Sequence, residues 1–141
     1  SNLISQTLMC ESIANTVAFS PDDSLIATGH VDGVIRLWNV KSGQLVFRFA
    51  GHGRGISEIA FVPDGRTLLS ASSDGTVRVW STAHNRTLGI FHRVFAAGME
   101  PGREIYCRLS ISSDGRRLVV GFNKLNDRPK IFLWDIDYSQ R

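Results

Sequence analysis

The 141 residues, 15.6 kDa in mass, make one ordinary domain with enough chain to bury a core. With 43% hydrophobic and 21% charged residues, the composition excludes a disordered tail, and no apolar run approaches the roughly 20 residues of a membrane-spanning helix. Net charge is +3 with a pI near 9.2, but Arg36, Arg48, Arg54, Arg66, Arg78, Arg86 and Arg93 are spaced among acids, which argues against a clustered nucleic-acid face.

In chain order, the opening residues 3–8 read as a lone strand. Four runs rich in β-branched and aromatic residues follow: Thr16 to Ser20, Leu25 to Thr28, Val34 to Asn39 and Gln44 to Phe49. Four more come next: Ile56 to Val62, Leu68 to Ser72, Thr76 to Trp80 and Thr87 to Phe91. Between them lie Pro63-Asp64-Gly65, where Pro presets the turn and Gly tolerates positive φ, and Ser73-Asp74-Gly75, a tight hairpin. A third set of three strands is expected within 105–136, and no segment has a convincing helical period.

Shifting the chain by 42 residues lays Ala18-Phe19, Pro21-Asp22, Asp32-Gly33, Arg36 and Trp38 onto Ala60-Phe61, Pro63-Asp64, Asp74-Gly75, Arg78 and Trp80. A looser third copy matches Ser113-Asp114-Gly115 to Pro63-Asp64-Gly65 and Trp134 to Trp80. A period in this range means supersecondary units, none of which buries its apolar faces alone.

Gly51-His52, Pro63-Asp64-Gly65, Asp74-Gly75 and Trp80, in that order and at that period, resemble the WD-repeat β-propeller family. The resemblance implies an all-β fold of antiparallel four-stranded WD-repeat blades, three in this chain. Blade 1 would cover 13–49, blade 2 residues 50–91, an insertion loop 92–104, and the first three strands of blade 3 residues 105–136. The strand at 3–8 would complete blade 3 or a neighbouring chain, in the offset frame by which such rings close. The resemblance also implies a structural hydrogen-bonded tetrad of His52, Ser70, Asp74 and Trp80. Thr28, Asp32 and Trp38 match three members in the first unit, with Cys10 where the His should stand. In the third, Trp134 matches, while Gly102, Val120 and Arg128 occupy the other places. Blade 3 is therefore expected to be held by apolar packing of Ile105, Leu109, Ile111, Leu118, Val120, Ile131 and Leu133.

Catalytic and cofactor chemistry is not legible. Gly51-His52-Gly53-Arg54-Gly55 is followed by a strand rather than by the helix N-terminus that a phosphate loop needs. His30, His52, His84 and His92 form no metal spacing with Cys10 and Cys107, and neither a nucleophile elbow nor a carboxylate pair is identifiable. The expectation is no enzyme, no cofactor and no metal. Two cysteines far apart encode no disulfide framework, which favours a reducing compartment, cytoplasmic or nuclear. The chain starts without Met and without signal-peptide features, so it is expected to be a piece of a longer protein.

Two insertions, 92–104 and 123–130, should emerge at one end of blade 3 and form a partner-binding rim from Arg93, Phe95, Met99, Arg103, Leu125, Arg128 and Lys130. The expected function is a non-catalytic scaffold that displays loops for protein partners, as a homo-oligomer or completed by further blades. An RNA-associated basic propeller module is the alternative. A further one is a substrate-receptor piece of a ubiquitin ligase, because Leu37-Trp38-Asn39-Val40-Lys41 is similar to the Trp-Asp-x-Arg box of such receptors, with Asn39 for the Asp and Lys41 for the Arg.

Overall fold

Short apolar runs between turn residues fold as eleven strands among the residues that the computed structural model describes, 6–93, 105–124 and 130–136. These are β1 (Ala14–Phe19), β2 (Leu25–His30), β3 (Ile35–Asn39), β4 (Leu45–Phe49), β5 (Ile56–Phe61), β6 (Thr67–Ser72), β7 (Thr76–Ser81), β8 (Arg86–Arg93), β9 (Ile105–Ile111), β10 (Arg117–Lys124) and β11 (Lys130–Asp135). They pair as antiparallel meanders: β1-β2-β3-β4, β5-β6-β7-β8 and β9-β10-β11. The period of 42 persists at the level of register, since a bulge between Ala14 and Thr16 in β1 recurs between Ile56 and Glu58 in β5.

Side-chain acceptors shape the turns. In the first β1–β2 turn Asp22 accepts hydrogen bonds from the Ser20 and Ser24 hydroxyls, which hold its carboxyl at about 2. At the β2–β3 and β6–β7 hairpins Gly33 and Gly75 take φ of 77° and 81°, where a Cβ would be strained.

The sheets stack face to face. β5 lies against β1 and β2, and β9 against β5 and β6, so each blade rests its first strand on the blade before it. One core joins Ala27, Ile35, Leu37 and Phe49 to Ile56, Ile59, Phe61, Leu68 and Trp80 across the first junction. A second joins Leu69, Ala71 and Val77 to Cys107, Leu109, Leu118, Val120 and Phe122 across the next. Every residue of β6 is buried, because the middle blade is covered on both faces.

Blade 3 departs from the expected packing. Leu109, Leu118 and Val120 are buried as foreseen, but Ile131 and Leu133 are 78% and 62% exposed. Strand alternation turns these two outward and sends Phe132 and Trp134 toward the core instead. At the other end, Gln6 to Leu8 lie in no strand; the remainder of the expected 3–8 strand falls outside the described residues.

Candidate functional site

Alternation puts Thr76, Arg78 and Trp80 on one face of β7, where they meet Ser70 of β6 and the loop that carries His52. The indole Nε1 of Trp80 donates to Ser70 Oγ at 2.8 Å, and His52 Nε2 stands 2.7 Å from the same oxygen. His52 Nδ1 lies 3.0 Å from Asp74 Oδ2. Because the indole only donates and the carboxylate only accepts, the protons order themselves: Nδ1–H faces Asp74, and Nε2 accepts the Ser70 hydroxyl hydrogen. Asp74 also accepts from the Gly53 amide at 2.9 Å and from the Thr76 amide and hydroxyl at 2.8 and 2.6 Å. Burial opposes its charge, but the hydrogen bonds from His52, Thr76 and Gly53 outweigh it and hold the carboxyl below its ordinary value.

Blade 1 solves the same problem differently. Trp38 Nε1 donates to Thr28 Oγ1 at 2.9 Å, and the ring beyond it is His30, whose Nε2 is 2.7 Å from Thr28 Oγ1. His30 is fully buried and its Nδ1 donates to the Ser12 carbonyl at 2.9 Å. The empty place left by Cys10 is therefore irrelevant: Cys10 is exposed, and the histidine comes from strand β2 rather than from the preceding loop. The sequence carries a signal for this, since Thr28 and His30 are two apart and so share one face of a strand. With the His30 ring bonded to Thr28 and Ser12, Asp32 instead receives Arg36, Nη2 to Oδ2 at 2.9 Å, and this pairing lowers its carboxyl and raises the guanidinium.

In blade 3 the buried Val120 stands where Ser70 would be, and aromatic contacts surround Trp134. Phe132 stacks on Trp134 at 5.5 Å, and Phe122 meets Phe132 edge-on at 5.9 Å. Cys107 is buried among these strands, which pushes its thiol up to about 12 and leaves it inert.

The rim is only partly described. Ile105 pairs with Lys124 and Lys130 with Phe122, so both connections leave blade 3 at one end. Lys130 is exposed; Phe95, Met99, Arg103, Leu125 and Arg128 lie outside the described residues, and of Arg93 only the backbone, opposite Thr76, is described. Asn39, noted for its likeness to a receptor box, caps its own turn by accepting the Ser42 amide at 2.9 Å.

The strongest asymmetry lies on the blade faces. Ile59 and Phe61 of β5 are 4% and 7% exposed beneath blade 1, whereas Val17 and Phe19, at the same places in β1, are 66% and 59% exposed. At the opposite end, the face that carries Val119, Ile131 and Leu133 corresponds to Ala27, Ile35 and Leu37 of blade 1, which blade 2 covers completely.

Comparison with known proteins agrees with this architecture. The family described as WD40, WD domain, G-beta repeat, matches residues 5–39 and again 43–81, more than half of the chain. The chain is 50% identical over 38 residues to the Periodic tryptophan protein 2 homolog of Dictyostelium discoideum, covering 27% of this chain and 4% of that protein. It is 45% identical over 42 residues to human Transducin beta-like protein 3, covering 30% and 5%. Over 45 residues it is 36% identical to U3 small nucleolar RNA-associated protein 13 of Saccharomyces cerevisiae, covering 32% and 6%. The matched segments thus span a small fraction of each relative. Two matched repeats, their shared register and the Trp-centred hydrogen-bond chains in both place this chain in the WD40 repeat family.

Proposed function

We propose that the chain forms part of a non-catalytic propeller scaffold that assembles protein complexes and whose two end faces are covered by further blades. The carrying observation is the contrast between Val17 and Phe19 and their buried counterparts Ile59 and Phe61. Contiguous apolar sheet faces of this kind are occupied by protein in folded assemblies. The two ends are also complementary in kind, since a first-strand face such as Val17 and Phe19 packs elsewhere in this chain on a face such as that of Ile131 and Leu133. A second copy docking head to tail, or blades from the parent chain, would both satisfy them, and a contact that closes makes a ring.

Mass in solution tests this reading. The intact chain alone should self-associate, and Phe19→Asp together with Leu133→Asp should shift the population toward single chains. A stable, monodisperse 15.6 kDa species from the unaltered chain would overturn it.

A nuclear, RNA-associated setting is the second reading. It rests on the similarity to the U3 small nucleolar RNA-associated protein and on the excess of arginine. Binding to RNA that falls steeply with salt would favour it, and binding insensitive to salt would remove it.

A further inference from the structure

Arg36 and Arg78 occupy the same place in consecutive blades, yet among the described residues only Arg36 has an ion-pair partner. In blade 1, Glu11 reaches from the segment before β1 to Arg36 at 3.8 Å and to Arg48 at 3.3 Å, while Asp32 holds Arg36 from the hairpin at 2.9 Å. Two acids and two guanidinium groups thus meet on the face that carries Trp38.

Blade 2 keeps the arginine and the hairpin Asp but loses the Glu and the second arginine. The residue 42 positions after Glu11 is Gly53, and the one after Arg48 is Ile90. Asp74, the counterpart of Asp32, is fully engaged by His52, the Gly53 amide and Thr76. Arg78 consequently has no hydrogen bond or ion pair among the described residues; its Nε is buried and unpartnered, as is that of Arg36, so what separates the two is that the outer nitrogens of Arg36 donate to Asp32. A half-buried guanidinium left without a partner is costly, and a carboxylate is the group whose geometry matches its fork.

Space for such a group is built in. A Cβ on Gly51 would stand 2.7 Å from Arg78 Nη1, so the absence of a side chain there is what lets the guanidinium lie under the loop. Above Gly53 a Cβ would meet only Asp74 Cβ, at 4.0 Å, so the position from which Glu11 acts in blade 1 is open in blade 2.

We propose that Arg78, beneath Gly51, is an anchoring point for an acidic side chain of a protein partner, received as Arg36 receives Asp32 and, at longer range, Glu11. The site deepens the scaffold reading, because it names the chemistry of one partner contact, but it is independent of how the end faces are covered. A carboxylate is preferred to a nucleic-acid phosphate because the groups that meet the equivalent arginine in blade 1 are carboxylates, Asp32 at 2.9 Å and Glu11 at 3.8 Å.

The test is fluorescence anisotropy with a labelled hexaglutamate peptide, and in a second arm a labelled hexauridylate RNA, on the intact chain. Arg78→Gln should weaken the peptide about tenfold, the loss expected for one charged hydrogen-bonded contact. Arg66→Gln, an exposed arginine on the turn at the other end of the blade, should change it less than about twofold. Gly53→Glu, which places a carboxylate where Glu11 stands, should block the peptide as strongly while Arg78 is retained, so a folding defect in Arg78→Gln cannot decide the outcome. Equal weakening by Arg66→Gln, no peptide binding by the unaltered chain, or tighter Arg78-dependent binding of the RNA would each overturn the proposal. Self-association, read separately by mass, bears only on the end faces.

Discussion

His30 Nε2 stands 2.7 Å from the hydroxyl of Thr28, two residues back on the same strand, and takes the place in blade 1 that His52 takes beside Ser70 in blade 2. The two rings approach equivalent hydroxyls from different elements, one from the end of β2 and the other from the loop before β5. What the repeat preserves is the hydroxyl between an indole and an imidazole, not the address of the imidazole.

Removing His30 should therefore cost far more than removing Cys10. His30→Ala takes one of the partners of the buried Thr28 hydroxyl and the side-chain donor to the Ser12 carbonyl, and leaves a cavity, for a loss of about 2 to 4 kcal/mol. Cys10→Ser, at an exposed position, should stay within about 0.5 kcal/mol. Urea midpoints of the two variants check this, and equal midpoints would contradict it.

Trp80 ties both halves of the first junction, 5.3 Å from the Phe49 ring and 5.9 Å from that of His52. Trp80→Ala should cost about 3 to 5 kcal/mol, as truncation of large buried aromatics does. An unchanged thermal midpoint in a soluble Trp80→Ala chain would show that the indole is not part of the core.

Gly33 and Gly65 share a left-handed backbone, φ of 77° and 69°, but not their surroundings. A Cβ on Gly33 would stand 2.7 Å from the His52 carbonyl oxygen, whereas one on Gly65 would meet nothing nearer than Pro21 Cδ at 3.9 Å. Gly65→Ala should cost about 1 kcal/mol, the conformational term alone. Gly33→Ala should cost clearly more, since rigid backbone of the neighbouring blade must move, and comparison of the two unfolding midpoints measures the difference.

Acid should weaken the fold in part through Asp74. Its carboxyl lies below the ordinary 3.8 in the folded chain, so its contribution is complete well above that value and fades as pH falls through it toward the lower folded value. Asp74→Asn should be less stable than the unaltered chain at pH 7 and lose less between pH 5 and pH 3, so that the two stability curves converge. Parallel curves would mean that the charge of Asp74 adds nothing.

Much of this was legible without coordinates, and the reason is local. Strands and turns follow from alternation and from Asp, Gly and Pro at fixed offsets, information carried by neighbours in the chain. The pairing of Ser70 with Trp80 could be read for the same reason, since both sit across one hairpin from each other and the repeat states it in order. His30 was missed because its role depends on Ser12 and on the absence of a competing ring, neither of which a motif encodes.

What the sequence by itself determined is the repeated unit: three meanders of alternating strands, an imidazole and an indole in blade 2, and a third blade with Val120 in the place of the hydroxyl residue. Which of its apolar residues become core was decided only by stacking. Val17 and Ile59, or Leu133 and Leu37, are nearly interchangeable in the chain, and differ because a neighbouring sheet covers one of each pair and leaves the other open. Burial is a property of two surfaces meeting, and one sequence position specifies only half of such a contact.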